Sequence, residues 1–430
     1  MLIEFKVANF RSIREEQTFS LVAAKADKSL KQNLIGQRLP GLSETRYLKG
    51  AAIYGANASG KTNVLAAIEF LANFVRRSGT KIQPGDLTGA EPFKLDVASK
   101  DCPSTFEVTF VADGTRFTLG MALDSKRVTE EYLTAYPKGF PQKWYHRTYD
   151  AISSSYIWSR PSAAFKHDKS LQEKTRENSS YISIGAQFNH AQLTQIFNWF
   201  RRNLRFLQLS AEGFLSHNFT SSLMSEPGDK AQILKLLQSA DIGVSEAKVV
   251  SSEVTVDDLK GRLPPTILAD MEAKGQLKPR TQLEIKLLHT AKGIPPLPFN
   301  FEEEESAGTR RFFCLVGPWL DILKHGYTVF VDEIETSLHP LLVRELLKLV
   351  LSEHYNPKGA QIIFTTHSPA LLDNALLRRD QIWFTEKTPE GVTHLYPLTD
   401  YKPRQDEAIA RGYLGGRYGA IPFIPDGLGT

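Results

Sequence analysis

Eight consecutive residues, Gly55-Ala56-Asn57-Ala58-Ser59-Gly60-Lys61-Thr62, constrain this chain more than any other stretch. They follow the short apolar run Lys49–Tyr54 and precede a segment, VLAAIEFLANFVRR, whose apolar residues recur at helical spacing. Strand, glycine-rich loop and helix is the context in which G-x-x-x-x-G-K-[ST] cradles phosphates. Glycine lets the backbone curl until several N–H groups face one anion, and the helix N-terminus adds a favourable dipole. The Lys61 side chain can reach the β- and γ-phosphates of a nucleotide, and the Thr62 hydroxyl can ligate Mg²⁺. Gly55, Asn57, Ala58, Ser59, Gly60, Lys61, Thr62 and Asn63 are therefore the expected ligand contacts of this loop. An ordinary glycine turn before a helix would explain neither Lys61 nor Thr62.

Three later segments bear on the same chemistry. Thr328-Val329-Phe330-Val331-Asp332-Glu333 is an apolar run ending in two acids. Side chains alternate along a strand, so the two carboxylates leave in different directions. Asp332 then suits Mg²⁺, and Glu333 suits a general base facing water. Ser306, with Gly308 two residues on, precedes an expected helix. Ser306 reads either as its N-cap or, with the N–H groups near Gly308, as a γ-phosphate contact. Ile362–Ser368 is an apolar strand that delivers His367 at its C-terminal end, where ligands sit in open α/β sheets. His367 reads as a structural residue or as a γ-phosphate sensor.

The rest of the chain sets the frame. Residues 2–10 read as a strand, and 104–123 as two antiparallel strands around an Asp-Gly turn. Residues 130–180 resist assignment, 189–242 read as helical, and 281–290 as a strand. Beyond residue 300, helix 306–324, strand 326–331, helix 339–352 and strands 360–365 and 381–385 alternate, which predicts an α/β fold with parallel strands. The 430 residues suffice for more than one sub-domain. A net charge of +4 neither demands nor forbids a nucleic-acid partner. Cys102 and Cys314 have no metal-ligand spacing and read as reduced thiols. No stretch is long and apolar enough to cross a membrane, so no membrane partner and a cytoplasmic location are expected.

The order of these motifs, joined by Ser337-Leu338-His339-Pro340, resembles that of ABC-type ATPases. Asn9-Phe10-Arg11-Ser12 is similar to the first strand of Rad50, RecF and SMC heads, which implies that Asn9 and Arg11 lie near the nucleotide. Asp332-Glu333-Ile334-Glu335 running into Leu338-His339-Pro340 resembles OLD-family and abortive-infection ATPases. The ending Tyr413–Pro422 resembles RloA and AbiL-type proteins and the ATPase subunit of PARIS anti-phage systems. The resemblance implies an ABC-type head with a mixed sheet, a β-rich sub-domain and a helical insertion. The expected division is head residues 1–90, β-rich 91–150, mostly helical 151–280, and head again 281–430. Only about sixty residues follow His367, too few for the Toprim nuclease domain of OLD proteins. Roughly 240 positions separate Thr62 from Ser306 without the sustained heptads of an SMC coiled coil. No glutamine can be assigned to the Q-loop of such ATPases.

In this class ATP sits between the phosphate loop of one subunit and the signature segment of another, which implies a homodimer with two shared sites, or a higher assembly of it. The function implied is an ATPase that acts as sensor and switch in anti-phage defence. It would control a separate effector, expected to be a nuclease, and a phage protein is the expected trigger. The alternative is a RecF- or Rad50-like repair ATPase that clamps DNA, for which Arg201-Arg202-Asn203-Leu204-Arg205 and Arg378-Arg379 are the basic segments.

Overall fold

The computed structural model describes residues 1–36, 45–208, 217–240, 243–254, 268, 271–272, 280–291, 293–336 and 338–422; Ser337 of the Leu-His-Pro segment lies outside them. The chain divides into two compact units. The first takes Met1–Ala211, Ile322–Thr336 and Val343–Thr430, and the second Glu212–Asp321 and Ser337–Leu342.

The first unit holds a six-stranded mixed sheet. Its strand order is Leu204–Gln208, Thr328–Asp332, Gln361–Thr366, Gly50–Gly55, Ile382–Lys387 and Thr393–Pro397. The first five run parallel and the last is antiparallel. Gly50–Gly55 and Gln361–Thr366 are buried at every residue, as central parallel strands covered on both faces must be. Helix Lys61–Arg77 buries Val64, Leu65, Ile68, Leu71, Ala72 and Val75, a stripe at three- and four-residue spacing. Arg76 and Arg77 in its last turn suit the negative end of its dipole.

A seven-stranded antiparallel sheet shares this unit. Its order is Ser155–Trp158, Gln142–Asp150, Val128–Tyr136, Thr115–Leu123, Ser104–Ala112, Leu2–Ala8 and Gln17–Ser20. The Asp-Gly turn is as read: Asp113 (φ 46°) and Gly114 (φ 75°) are both left-handed, the geometry of a tight hairpin. One core cluster runs between the elements, with Phe110 stacked on Trp199 at 4.0 Å and Phe70 against Phe10 and Phe106.

The division differs from the expected one. Pairing takes Leu2–Ala8 and Gln17–Ser20 into the same sheet as the strands of 91–150, so these strands do not form a separate body. Residues 151–280 hold the helices Lys169–Lys174, Tyr181–Gln187, Ala191–Arg202, His217–Leu223 and Pro227–Ser239. They also hold the strands Ser155–Trp158, Leu204–Gln208 and Val244–Val254.

In the second unit, Val244–Val254, Arg280–Ala291 and Ile294–Asn300 form an antiparallel sheet. Thr220 Oγ1 there donates to Phe313 O at 2.9 Å. Among the described residues no helix is long and apolar enough to cross a membrane.

Candidate functional site

The parallel strands end at one edge of the six-stranded sheet, so residues remote in sequence meet there. Gly55 opens the loop. A Cβ at Gly55 would lie 2.3 Å from Thr385 Oγ1, and one at Gly60 would lie 2.1 Å from Thr393 Oγ1. Gly60 also has φ +105°, which side-chain-bearing residues rarely adopt. Both glycines are thus fixed by close approach of the neighbouring strands. Ser59 Oγ pairs with Thr385 Oγ1 at 2.7 Å, and Thr393 Oγ1 donates to Ser59 O at 3.0 Å. Ala58 takes a left-handed φ of 63°.

A cavity of about 260 Å³ is lined by the loop residues Asn57 to Asn63 and by Glu333, His367 and Lys387. Lys61 is buried, and its Nζ donates to Gly55 O at 2.9 Å and to Ala56 O at 3.0 Å. Burial lowers the pKa of this amine, and the carboxylates of Glu333, Asp332 and Glu335 partly oppose that shift.

Thr62 Oγ1 donates to Asp332 Oδ2 at 2.9 Å, joining the loop to the end of the acidic strand. The other Asp332 oxygen accepts from Thr365 Oγ1 at 2.6 Å, and Thr365 in turn accepts the Glu333 N–H at 2.7 Å. Glu333 leaves the strand with a left-handed φ of 49°. Asp332 therefore faces Thr62 while Glu333 lines the cavity, the divergence expected of adjacent acids. His367 Nε2 lies 3.9 Å from Glu333 Oε1, and the His367 N–H donates to Glu335 Oε1 at 2.6 Å.

The opening segment is tied to the same loop. Ser12 Oγ pairs with Thr393 Oγ1 at 2.8 Å and accepts from Asn63 Nδ2 at 2.6 Å. Arg11 lines a second cavity of about 270 Å³ with Ser12, Asn63, Glu91, Phe93 and Lys387 among its walls. The expectation for Asn9 changes on this geometry. Its Nδ2 donates to Ser99 O and Cys102 O, and its Oδ1 accepts the Phe93 N–H. The buried Asn9 amide thus shapes the backbone behind the second cavity and lines neither one.

Ser306 and Gly308 lie in the second unit. Ser306 Oγ accepts the Thr309 N–H at 3.1 Å, so it caps helix Ala307–His325, and it is exposed. Sequence reasoning missed Thr365, Thr385, Thr393 and Lys387 as site residues. Three are threonines, common in strands for packing reasons alone. The signal for Lys387 was a cation closing an apolar strand beside the loop strand.

Comparison with known proteins gives the following. No curated protein matches the chain. Among solved structures, it is similar to the Smc head domain with an extended coiled coil bound to the C-terminal domain of ScpA from Pyrococcus furiosus. That match has 11% identity, covers 93% of this chain and 97% of the other, and has a TM-score of 0.39. It is also similar to the recombination mediator protein RecF-ATPrS in the RecFOR pathway, at 12% identity, 92% and 98% coverage and a TM-score of 0.34. The family described as "AAA domain, putative AbiEii toxin, Type IV TA system" matches residues 51–373, about three quarters of the chain. That span runs from the loop strand past Thr62, Asp332, Glu333 and His367, and the chain belongs to this AAA family.

Proposed function

We propose that this chain binds ATP with Mg²⁺ at the loop end of the six-stranded sheet and hydrolyses it as an ABC-type ATPase. One observation carries the reading: Thr62 and Asp332, 270 residues apart, meet at 2.9 Å beside the glycine loop. Lys61 and the loop N–H groups hold the phosphates. The hydroxyl of Thr62 and the carboxylate of Asp332 form an all-oxygen donor set that fits Mg²⁺. Such an ion, when bound, neutralises charge on the β- and γ-phosphates. Glu333 accepts the proton of the attacking water, and His367, facing Glu333, holds the γ-phosphate end in place. The test is nucleotide binding and turnover by Lys61→Ala. The expected result is loss of both; undiminished turnover would reject this loop as the working site.

The reading extends to two copies. Ser306 and Gly308 of one copy would meet the γ-phosphate held by the loop of its partner, supported by the exposure of Ser306 at a 19-residue helix N-terminus. Ser306→Arg and Lys61→Ala are each expected to be inactive alone. Mixing them leaves one shared site intact, so partial recovery of activity is expected. Heterodimers that form without recovery would count against sites shared in trans.

The physiological role we propose is the switch subunit of an anti-phage defence system, with a separate nuclease as effector and a phage protein as trigger. Membership in a family described by toxin–antitoxin terms supports it. Nucleotide can bias only an equilibrium whose two states it binds differently, so ATP should change how tightly the effector is held. Nucleic-acid cleavage is expected only when the product of the neighbouring gene is added, and only with intact Lys61. Robust cleavage by the Lys61→Ala protein alone would reject this role.

A DNA clamp is the second reading, and the exposed Arg201 and Arg202 favour it. Arg378 does not: it is 1% exposed, pairs with Asp380 at 2.7 Å and donates to Ser29 O and Asp27 O. Duplex affinity that falls steeply with salt, and less steeply in Arg201→Ala/Arg202→Ala, would support the clamp.

A further inference from the structure

Two cavities adjoin at this site, and Asn63 and Lys387 line both. The first contains the loop, Lys61 and Thr62. The second is walled by Phe93, Leu95, Ser12 and Glu91. Of the cations lining the second cavity, Arg11 and Lys94 both pair with Glu91, at 3.3 and 4.0 Å. Lys387 makes no ion pair among the described residues, and it is exposed.

Its placement is a consequence of strand register. Thr385 pairs with Gly55 and bonds Ser59, so that face of the strand looks onto the loop. Lys387 is two residues on and therefore on the same face. Its Cα partner across the antiparallel pair is Thr393, the residue pressed against Gly60. The strand thus carries a lysine past the end of the loop strand and over the loop itself. A flexible ammonium with three donors at that point is suited to a phosphate oxygen.

We infer that Lys387 is a second phosphate-binding cation of this site, holding the α-phosphate where the phosphate chain passes from the first cavity to the nucleoside in the second. This rests on the ATP reading above. Lys61 serves the β and γ end, and Lys387 serves the end shared by ATP and ADP.

Calorimetric titration of the full chain with ATP and ADP, and with adenosine as competitor, tests it. Lys387→Ala is expected to weaken ATP and ADP by the same factor, about tenfold, the usual worth of a charge-assisted hydrogen bond at a partly exposed site. Lys387→Arg keeps the charge and should restore most of the affinity. Competition by adenosine should be the same in wild type and Lys387→Ala. Wild-type affinity for ADP in the alanine variant overturns the inference and leaves the ATP reading standing. A fall in adenosine affinity as large as that in ADP also overturns it, because the contact would then be to the nucleoside. A wild-type chain that binds neither nucleotide overturns both.

Discussion

In the six-stranded sheet, three of the five neighbouring pairs join strands more than 100 residues apart; in the seven-stranded sheet, five of the seven strands are successive in sequence. Parallel neighbours require long crossovers, whereas antiparallel ones need only a tight turn. The parallel sheet therefore collects, at its C-terminal edge, residues as remote as Thr62, Asp332, His367 and Lys387. The antiparallel sheet collects local ones, and its buried charges face each other. Glu131 and Arg147 are both fully buried and pair at 2.7 Å. Glu131 also accepts from Tyr145 and Ser180 hydroxyls, and Arg147 donates to Ser179 O. Charges at the edge of the first sheet are available to a ligand; Glu131 and Arg147 inside the second are turned to each other and to the protein. One sheet is expected to carry chemistry and the other stability.

The comparison can be broken by variants placed in each sheet. Glu333→Gln keeps the shape of the proposed base and removes its basicity. Turnover should fall by roughly 10²–10⁴-fold while ATP binding and melting temperature hold. Normal turnover would shift attention to Glu335. Arg147→Met leaves the Glu131 carboxylate buried without its partner and should cost about 3–5 kcal/mol in denaturant unfolding. Turnover per folded molecule should be unchanged, and a collapse of turnover at retained stability would end the division of labour argued here.

Thr365→Val sits between the two cases. The swap removes one hydroxyl that serves both Asp332 and Glu333, so it should lower stability by about 1–3 kcal/mol and turnover with it. An effect on stability alone would make Thr365 a packing residue.

The smallest effect concerns acid. Burial alone would raise the Asp27 carboxyl, but hydrogen bonds from Arg379 and Ser29 outweigh it and bring it down to about 2. A lowered carboxyl stabilises the fold above the ordinary pKa near 3.8, and that contribution is lost as pH falls towards 2. Wild type should exceed Asp27→Asn by about 1–2 kcal/mol above pH 4, with the gap closing below it. A gap that widens as pH falls would contradict this sign.

The same contrast governs what could be read from the sequence. Gly50–Gly55, Thr328–Asp332 and Gln361–Thr366 are short apolar runs, each ended by the residues that mark the site, and all three were legible. Leu204–Gln208 was not. It follows directly on Arg201 and Arg202 at the end of a helix, and its own Arg205 breaks the apolar run. The strands of 128–158 were opaque for another reason. Glu131 and Arg147 occupy inward positions, so polar and apolar residues do not alternate as a half-buried strand requires. A register shift at Leu133–Thr134 accompanies the burial of both Trp144 and Tyr145, which erases the period of two. Asn9 was legible as a special residue, but its backbone partners were not, because they come from residues 93–103, a segment with no periodicity to announce it.

The strand that carries the glycine loop has both its neighbours, Gln361–Thr366 and Ile382–Lys387, from the far end of the chain. On the ribosome, Gly50–Gly55 emerges roughly 300 residues before either partner exists, an interval on the order of 15–60 s at ordinary rates of synthesis. For most of that time the nascent chain carries a complete phosphate loop with no acidic strand made, and throughout it an apolar strand with both edges bare. A chain cut short between the loop and the acidic strand therefore holds the loop and lacks Asp332, Glu333, His367 and Lys387, the later side chains that join it or line its cavity.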